Sequence, residues 1–429
     1  MKLDERKTIF SWAMYDWANS SFATTVMAVF FPLFFSEYWS TGVTENVNTD
    51  RIGNANSLAG FVIVLLAPIL GAIADRGSSK KKFLLFFTFI GVVMTSCLYV
   101  VSQGDWKLAF LLYVVATVGF SGSNIFYDSL IISVASERKM NMVSALGYSL
   151  GYLGGGTLFI LNVLMVTKPQ TFGFADSSEA VRFSFITVGI WWAIFTIPLI
   201  LFVKEESRVK TVSGFSMIAG GLKQFRDTFK NIRKNRMVFI FLLAYWFYID
   251  GVDSVIRMGV DYGKALHLET NDLIMAVLLI QFIGFPAAIA YGYLGNRIGA
   301  KRGIFLAIAI YIGITIFGAF IKNEFHFYLL AIAIGLIQGG IQSLSRSYYA
   351  KIIPIEKSAE YFGFYNMMGK FAVILGPVLV GKVSLIVANA SGDSMLGTRV
   401  SISSLALLLI IGGILLCFVR TEQRNNTLS

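Results

Sequence analysis

The chain has 429 residues, 56% hydrophobic and 14% charged, with a mean hydropathy of +0.68 and a net charge of +11. A soluble domain carries about 25% charged residues, so a water-soluble globular fold is excluded. The basic excess lies in short segments between apolar runs, not along one stripe, which argues against nucleic acid as a partner.

Residues 1–8 form a short charged start. Apolar segments of bilayer-crossing length then cover approximately 9–38, 54–75, 82–103, 107–134, 141–166 and 183–203. The first carries Asp16 and no small-residue cleavage site, so no cleavable signal peptide is expected. A basic segment, 204–236, interleaves Phe215, Met217, Ile218, Leu222, Phe225 and Phe229 with lysines and arginines, a pattern for an amphipathic helix lying on the membrane surface. Six further apolar segments follow at approximately 237–259, 271–295, 301–321, 325–350, 359–388 and 398–419. The expected fold is an all-α membrane protein: twelve transmembrane helices in two pseudo-symmetric six-helix bundles, 1–203 and 237–429, joined by the cytoplasmic linker 204–236. Counting basic residues by side places twenty-five with the termini and linker and eight on the opposite side, so both termini are expected in the cytoplasm. Cys97 and Cys417 sit inside apolar runs as packing residues, and His267 and His326 stand alone in loops; neither a disulfide framework nor a metal site is expected.

The halves echo each other in order. Asp16-Trp17-Ala18-Asn19-Ser20 of span 1 matches Asp250-Gly251-Val252-Asp253-Ser254 of span 7. Gly71-Ala72-Ile73-Ala74-Asp75-Arg76 after span 2, with Lys80, Lys81 and Lys82 beyond it, matches Gly292-Tyr293-Leu294-Gly295-Asn296-Arg297-Ile298-Gly299-Ala300-Lys301-Arg302 after span 8. Asn124 and Asp128 of span 4 match Gln342 and Arg346 of span 10, four apart in both. Three echoes on corresponding spans indicate a duplicated unit.

Polar residues inside the spans are costly, at about 2.5–3.5 kcal/mol per charge, and must face protein or water. They fall on single helix faces: Asp16, Asn19 and Ser20; Ser121, Asn124 and Asp128; Trp246, Asp250, Asp253 and Arg257; Gln338, Gln342 and Arg346; and Asn366 with Lys370. These stripes on spans 1, 4, 7, 10 and 11 imply one shared cavity between the halves, or alternatively a structural network joining helices. Asp253 and Arg257 have ion-pair spacing, which leaves Asp250 without an obvious partner. Gly154-Gly155-Gly156 and Gly335, Gly339 and Gly340 would permit close helix packing.

These motifs resemble the major facilitator superfamily. Its loop motif of glycine-x-leucine-glycine/alanine-aspartate-arginine followed by a basic cluster occurs twice, with Ile73 for leucine in the first copy and Asn296 for the usual aspartate in the second. The resemblance implies a latch closing the cytoplasmic side through Gly71, Asp75 and Arg76, with Gly292, Asn296, Arg297 and Gly299 as its counterpart. Tyr15-Asp16-Trp17-Ala18-Asn19-Ser20, Tyr248-Ile249-Asp250-Gly251-Val252-Asp253, Gln338 to Ser347 and Glu360-Tyr361-Phe362-Gly363-Phe364-Tyr365 resemble the vacuolar effluxer-like branch. Fungal members of that branch are linked to amino-acid export from the vacuole. The short termini and compact loops point to a bacterial cytoplasmic membrane.

The expectation is a secondary transporter of a small polar or zwitterionic solute, an amino acid or short peptide, working by alternating access and proton-coupled. Asp16 or Asp250 would carry the proton, and Asp253–Arg257 would be a breakable pair. Arg346 and Lys370 would hold a carboxylate or phosphate, unless Arg346, near the end of its span, snorkels to the surface. Tyr15, Tyr127, Trp246, Tyr248 and Tyr365 are candidates for the apolar wall. Competing readings are an anionic or amphipathic cargo, such as a lipid headgroup or cell-wall fragment, and a non-transporting receptor or scaffold. No phosphate loop or nucleophile–base pair supports an enzyme. The expected surroundings are a lipid bilayer and a small-molecule substrate, with a monomeric chain, a proton as coupling ion and no other cofactor.

Overall fold

The computed structural model describes residues 3–77, 79–205, 227–266, 268–371 and 375–419. Among these, twelve helices are long and apolar enough to cross a bilayer: α1 Arg6–Trp39, α2 Asp50–Asp75, α3 Lys80–Val100, α4 Trp106–Val134, α5 Met140–Thr167, α6 Ser177–Phe202, α7 Arg236–Ile256, α8 Asn271–Ile298, α9 Ala300–Gly318, α10 Glu324–Ile352, α11 Ile355–Ser391 and α12 Met395–Cys417. They form two six-helix bundles, α1–α6 and α7–α12. The expected amphipathic linker helix, with Phe215, Met217, Ile218, Leu222 and Phe225, lies outside the described residues; residues 227–234 are helical.

Polar residues extend some helices past their apolar runs. α6 begins six residues earlier than the apolar run because Asp176 accepts from the Glu179 N–H at 2.8 Å and Glu179 accepts from the Ala175 N–H at 2.8 Å, a reciprocal pair that satisfies donors an open helix end leaves unbonded. Asp105, Asn235 and Asn323 cap α4, α7 and α10 with one bond each, accepting from the N–H groups of Leu108, Val238 and His326. α1 departs from regular geometry: Phe22–Phe30 and Phe35–Trp39 are π-helical. An aromatic cluster fills the space around this wide helix, with Phe31 stacked on Tyr113 at 3.8 Å and Trp39 beside Phe185 at 5.7 Å.

Basic residues gather at the end of the molecule where α4 meets α5 and α8 meets α9, here called the basic end. There the bundles touch along α2 with α11 and α5 with α8. Helix backbones approach very closely: a Cβ at Gly71 of α2 would run into the Ala359 carbonyl of α11, and one at Gly363 of α11 would lie 2.7 Å from the Ala67 carbonyl of α2. Only residues without a side chain fit at these crossings.

Candidate functional site

The site is organised by Arg346. It projects from α10 across the interface into the first bundle and is 1% exposed. A guanidinium has five N–H donors and tolerates burial only when they are met. Here its Nη1 donates to Asp128 Oδ1 at 3.1 Å and to Asp16 Oδ2 at 3.4 Å, its Nη2 to Asp16 Oδ2 at 3.4 Å and to the Ser144 carbonyl at 2.8 Å, and its Nε to Ser144 Oγ at 2.9 Å. Three helices of one bundle, α1, α4 and α5, thus hold one side chain of the other. Arg346 neither snorkels nor presents a free anion site in this state.

Both acids are themselves fixed. Tyr127 donates to Asp16 Oδ2 at 2.7 Å, and Asn366 of α11 donates to Asp128 Oδ2 at 3.2 Å, adding a second contact between bundles. Aromatic rings wrap the guanidinium: Tyr148 at 4.3 Å, Trp12 at 4.9 Å and Tyr127 at 5.4 Å. Trp12 stacks on Tyr127 at 4.4 Å and donates its ring N–H to the Tyr127 carbonyl at 3.0 Å, which holds the tyrosine in place. Gly147 leaves room for all of this. A Cβ there would lie 2.5 Å from Asp16 Oδ2 and 2.9 Å from both Arg346 Nη2 and the Tyr127 hydroxyl.

Of the expected residues, the structure joins Asp16, Asp128, Arg346 and Asn366 in this one network. Asn19 and Asn124 bond to each other at 2.6 Å, one turn from Asp16 and Asp128 on α1 and α4. Asp250, expected to lack a partner, has three: the N–H groups of Leu375 and Gly376 at 3.1 and 2.9 Å and the Ser254 hydroxyl at 3.2 Å. Its two backbone partners lie in the α11 stretch Leu375–Ser391. The Arg257 side chain lies outside the described residues, and with it the expected Asp253–Arg257 pair; Asp253 and Lys370 are half-buried. Tyr15 bonds Thr88 at 2.6 Å and Tyr248 bonds Ser345 at 2.7 Å, so both hydroxyls tie helices within their own bundles. Tyr365 stacks on Tyr245 at 4.1 Å.

Farther from the basic end the interface carries polar atoms that no described residue satisfies. Gln342 and Gln338 lie one and two turns from Arg346 on the same face of α10, about 6 and 12 Å along the axis. The Gln338 amide oxygen, the Tyr152 hydroxyl and the Trp246 ring N–H are buried without a partner. Tyr152 of α5 packs against Gly339, which places its hydroxyl near the Gln338 turn. Buried polar atoms normally find partners, and the Gln338 oxygen and Tyr152 hydroxyl, brought to one turn of α10 by the packing of Tyr152 on Gly339, would be met by a polar guest.

The latch is only partly as expected. Asp75 accepts the N–H groups of Ala359 and Glu360 at 3.1 and 2.9 Å, at the start of α11, and pairs with Lys80 at 3.1 Å; Lys80 in turn donates to Ser358 at 2.5 Å. The Arg76 side chain lies outside the described residues. In the second copy Asn296 and Arg297 are exposed, and their expected latch role is taken by Asn141 of α5, which accepts from Ser347 at 2.9 Å and Lys351 at 2.8 Å of α10. Ser144, Gly147, Asn141 and Trp12 escaped the sequence reading. The only signal for Ser144 was a small polar residue in an apolar span.

Comparison with known proteins places the chain in context. A family model described as vacuole effluxer Atg22 like matches residues 52–429. The MFS-type transporter YxiO of Bacillus subtilis (strain 168) is 38% identical over 414 residues, covering 96% of this chain and 94% of that protein. Autophagy-related protein 22 of Saccharomyces cerevisiae (strain ATCC 204508 / S288c) is 25% identical over 376 residues, covering 76% of this chain and 70% of the yeast protein. Among solved structures, the proton:xylose symporter XylE aligns with a TM-score of 0.72 at 12% identity, over 96% of this chain and 95% of that one, a likeness of fold.

Proposed function

The chain belongs to the vacuole effluxer Atg22-like family, multi-pass membrane transporters of the major facilitator superfamily and not enzymes, and on that premise we propose that it moves a small zwitterionic solute, an amino acid or short peptide, by proton-coupled alternating access. In this reading the basic end faces the cytoplasm and is closed in the present state. Arg346 is the lock.

The observation that carries the proposal is the buried triad shared by two bundles. Asp16 and Asp128 carry two negative charges against one guanidinium, so one proton neutralises the group. When either acid takes that proton it becomes a weaker acceptor for Arg346, and the hold across the interface loosens. The bundles then part at the basic end, where Asp75 releases two backbone N–H groups, Lys80 releases Ser358, and Asn141 releases Ser347 and Lys351. The solute occupies the band lined by Trp246, Gln338, Gln342 and Tyr152, one to two turns from the lock, close enough for its ammonium group to compete for the acids. An anionic cargo fits less well, because every Arg346 donor is already held, three contacts by carboxylates and two by Ser144.

The test is uptake of labelled amino acids into proteoliposomes with and without an imposed pH gradient, for the native chain, Asp16→Asn and Asp128→Asn. Gradient-driven accumulation by the native chain, with each variant retaining exchange but losing accumulation, is the expected result. Uptake indifferent to the gradient removes proton coupling, and no uptake by protein shown to be folded removes the amino-acid cargo.

A further inference from the structure

The two loop motifs differ in one respect that the transport cycle leaves unused. The first copy contains its own anion, Asp75, bonded to Lys80. The second has Asn296 at the equivalent position, exposed and without a hydrogen bond to any described residue. Around it a groove of about 1050 Å³ runs between the bundles at the basic end. Arg138 and Lys139 line it from the α4–α5 connection, and Lys301, Arg302 and Lys351 from α8–α10, against one lining carboxylate, Glu137. Two of these cations are already engaged: Lys301 with the Cys417 and Val419 carbonyls at 3.2 and 2.6 Å, and Lys351 with Asn141. Lys139 lies 3.8 Å from Asp4. Arg138 and Arg302 are exposed and make no ion pair with a described residue. Tyr348 also lines the groove; it is 5% exposed, and its hydroxyl is buried without a partner.

We propose that this groove binds a phosphate-bearing anion, which replaces the missing aspartate of the second motif and joins the bundles there as Asp75 joins them at the first. Guanidinium groups of Arg138 and Arg302 match phosphate oxygens in pairs, and the Tyr348 hydroxyl supplies the neutral donor. Because Arg138 belongs to one bundle and Arg302 and Tyr348 to the other, the complete site exists only while the basic end is closed. The anion therefore binds the closed state selectively and holds it. Two sources offer this chemistry. They are free inorganic phosphate and a phospholipid headgroup; the groove, lined also by the apolar Phe305 and Ile298, is far larger than inorganic phosphate, which favours the headgroup.

The experiment measures binding, not transport, so its failure would leave the cargo reading intact. Purified full-length chain is titrated with short-chain phosphatidylglycerol, with phosphatidylcholine, or with inorganic phosphate, and bound ligand is counted by native mass spectrometry. Three variants are compared with the native chain: Arg138→Gln/Arg302→Gln, Tyr348→Phe, and Arg233→Gln/Lys234→Gln, which removes exposed cations outside the groove. Tyr348→Phe deletes only an unpartnered hydroxyl, so its folding is not at risk. The expected result is one tightly held phosphatidylglycerol, weakened about tenfold or more by the groove variants and unaffected by Arg233→Gln/Lys234→Gln. The same pattern for inorganic phosphate without preference for the lipid identifies the free ion as the ligand. Equal binding by all variants, or binding that falls equally with either cation pair, overturns the site.

Discussion

Replacing Arg346 with methionine tests the lock directly. Methionine keeps most of the stem and its packing among Trp12, Tyr127 and Tyr148 but removes all five donors. Asp16, 9% exposed, keeps its bond from Tyr127, and Asp128, 8% exposed, keeps only the 3.2 Å bond from Asn366. Breaking a buried ion pair from one side costs about 3–5 kcal/mol. The penalty belongs to the closed state, since parting the bundles lets water reach both acids. At about 1.4 kcal/mol per factor of ten, the closed-to-open ratio falls by roughly a hundred- to several-thousandfold, enough to turn a closed population of about 99% into a mostly open one. Spin labels at Lys82→Cys in the first bundle and Ile355→Cys in the second, both exposed at the basic end, report the separation once Cys97 and Cys417 are replaced by serine. Pulsed dipolar spectroscopy should show a short distance for the native chain and a longer one for Arg346→Met, with the short one partly restored when Asp16→Asn and Asp128→Asn are added. A folded Arg346→Met chain with the native distance distribution would refute the argument.

Gly147→Ala places a methyl group against Asp16, Arg346 and Tyr127 at once; it should cost about 1–3 kcal/mol and give the same opened distances without removing any charge. Asp250→Asn turns an NH₂ group toward one of two backbone donors, so melting temperature should fall while the pH dependence of uptake is unchanged; selective loss of pH dependence would return the proton to Asp250. Asp4 near the start of the chain offers a pH test outside the membrane. Partial burial pushes its carboxyl up, but the Ser136 N–H, the Ser136 hydroxyl and Lys139 outweigh this and hold it below its ordinary value. A depressed carboxylate stabilises above its unfolded value, and that contribution disappears as pH falls through the folded one. The stability difference between the native chain and Asp4→Asn should therefore be constant near neutrality and close below about pH 4, as followed by thermal unfolding across pH.

Much of the fold was legible because a bilayer imposes a length and a polarity on each helix, and those are sequence properties. Helical spacing also identified the faces that matter: Asp16, Asp128 and Arg346 all lie on predicted polar stripes. Spacing does not name partners, however. It favours pairs on one helix, such as Asp253 with Arg257, whereas Arg346 reaches Asp16 across 330 residues of chain. Asp250 was misjudged for a related reason. Its bond from Ser254 is a four-residue spacing that could have been read, but its main partners are backbone N–H groups, which every residue but proline possesses. Gly376-Pro377 was the available clue, since proline is at home in the first turn of a helix.

The Asp75 latch has a consequence for how such chains diverge. One side of the contact is a carboxylate, but the other is largely the peptide backbone at Ala359 and Glu360. The bonds themselves therefore do not depend on which side chains stand at 359 and 360, although burial limits the size of both. Pairwise covariation among relatives should be silent at this junction even though it holds two bundles together. Proline at 359 or 360 deletes an N–H outright, and a side chain at Gly71 or Gly363 collides with the facing backbone; these are the exchanges the junction cannot absorb.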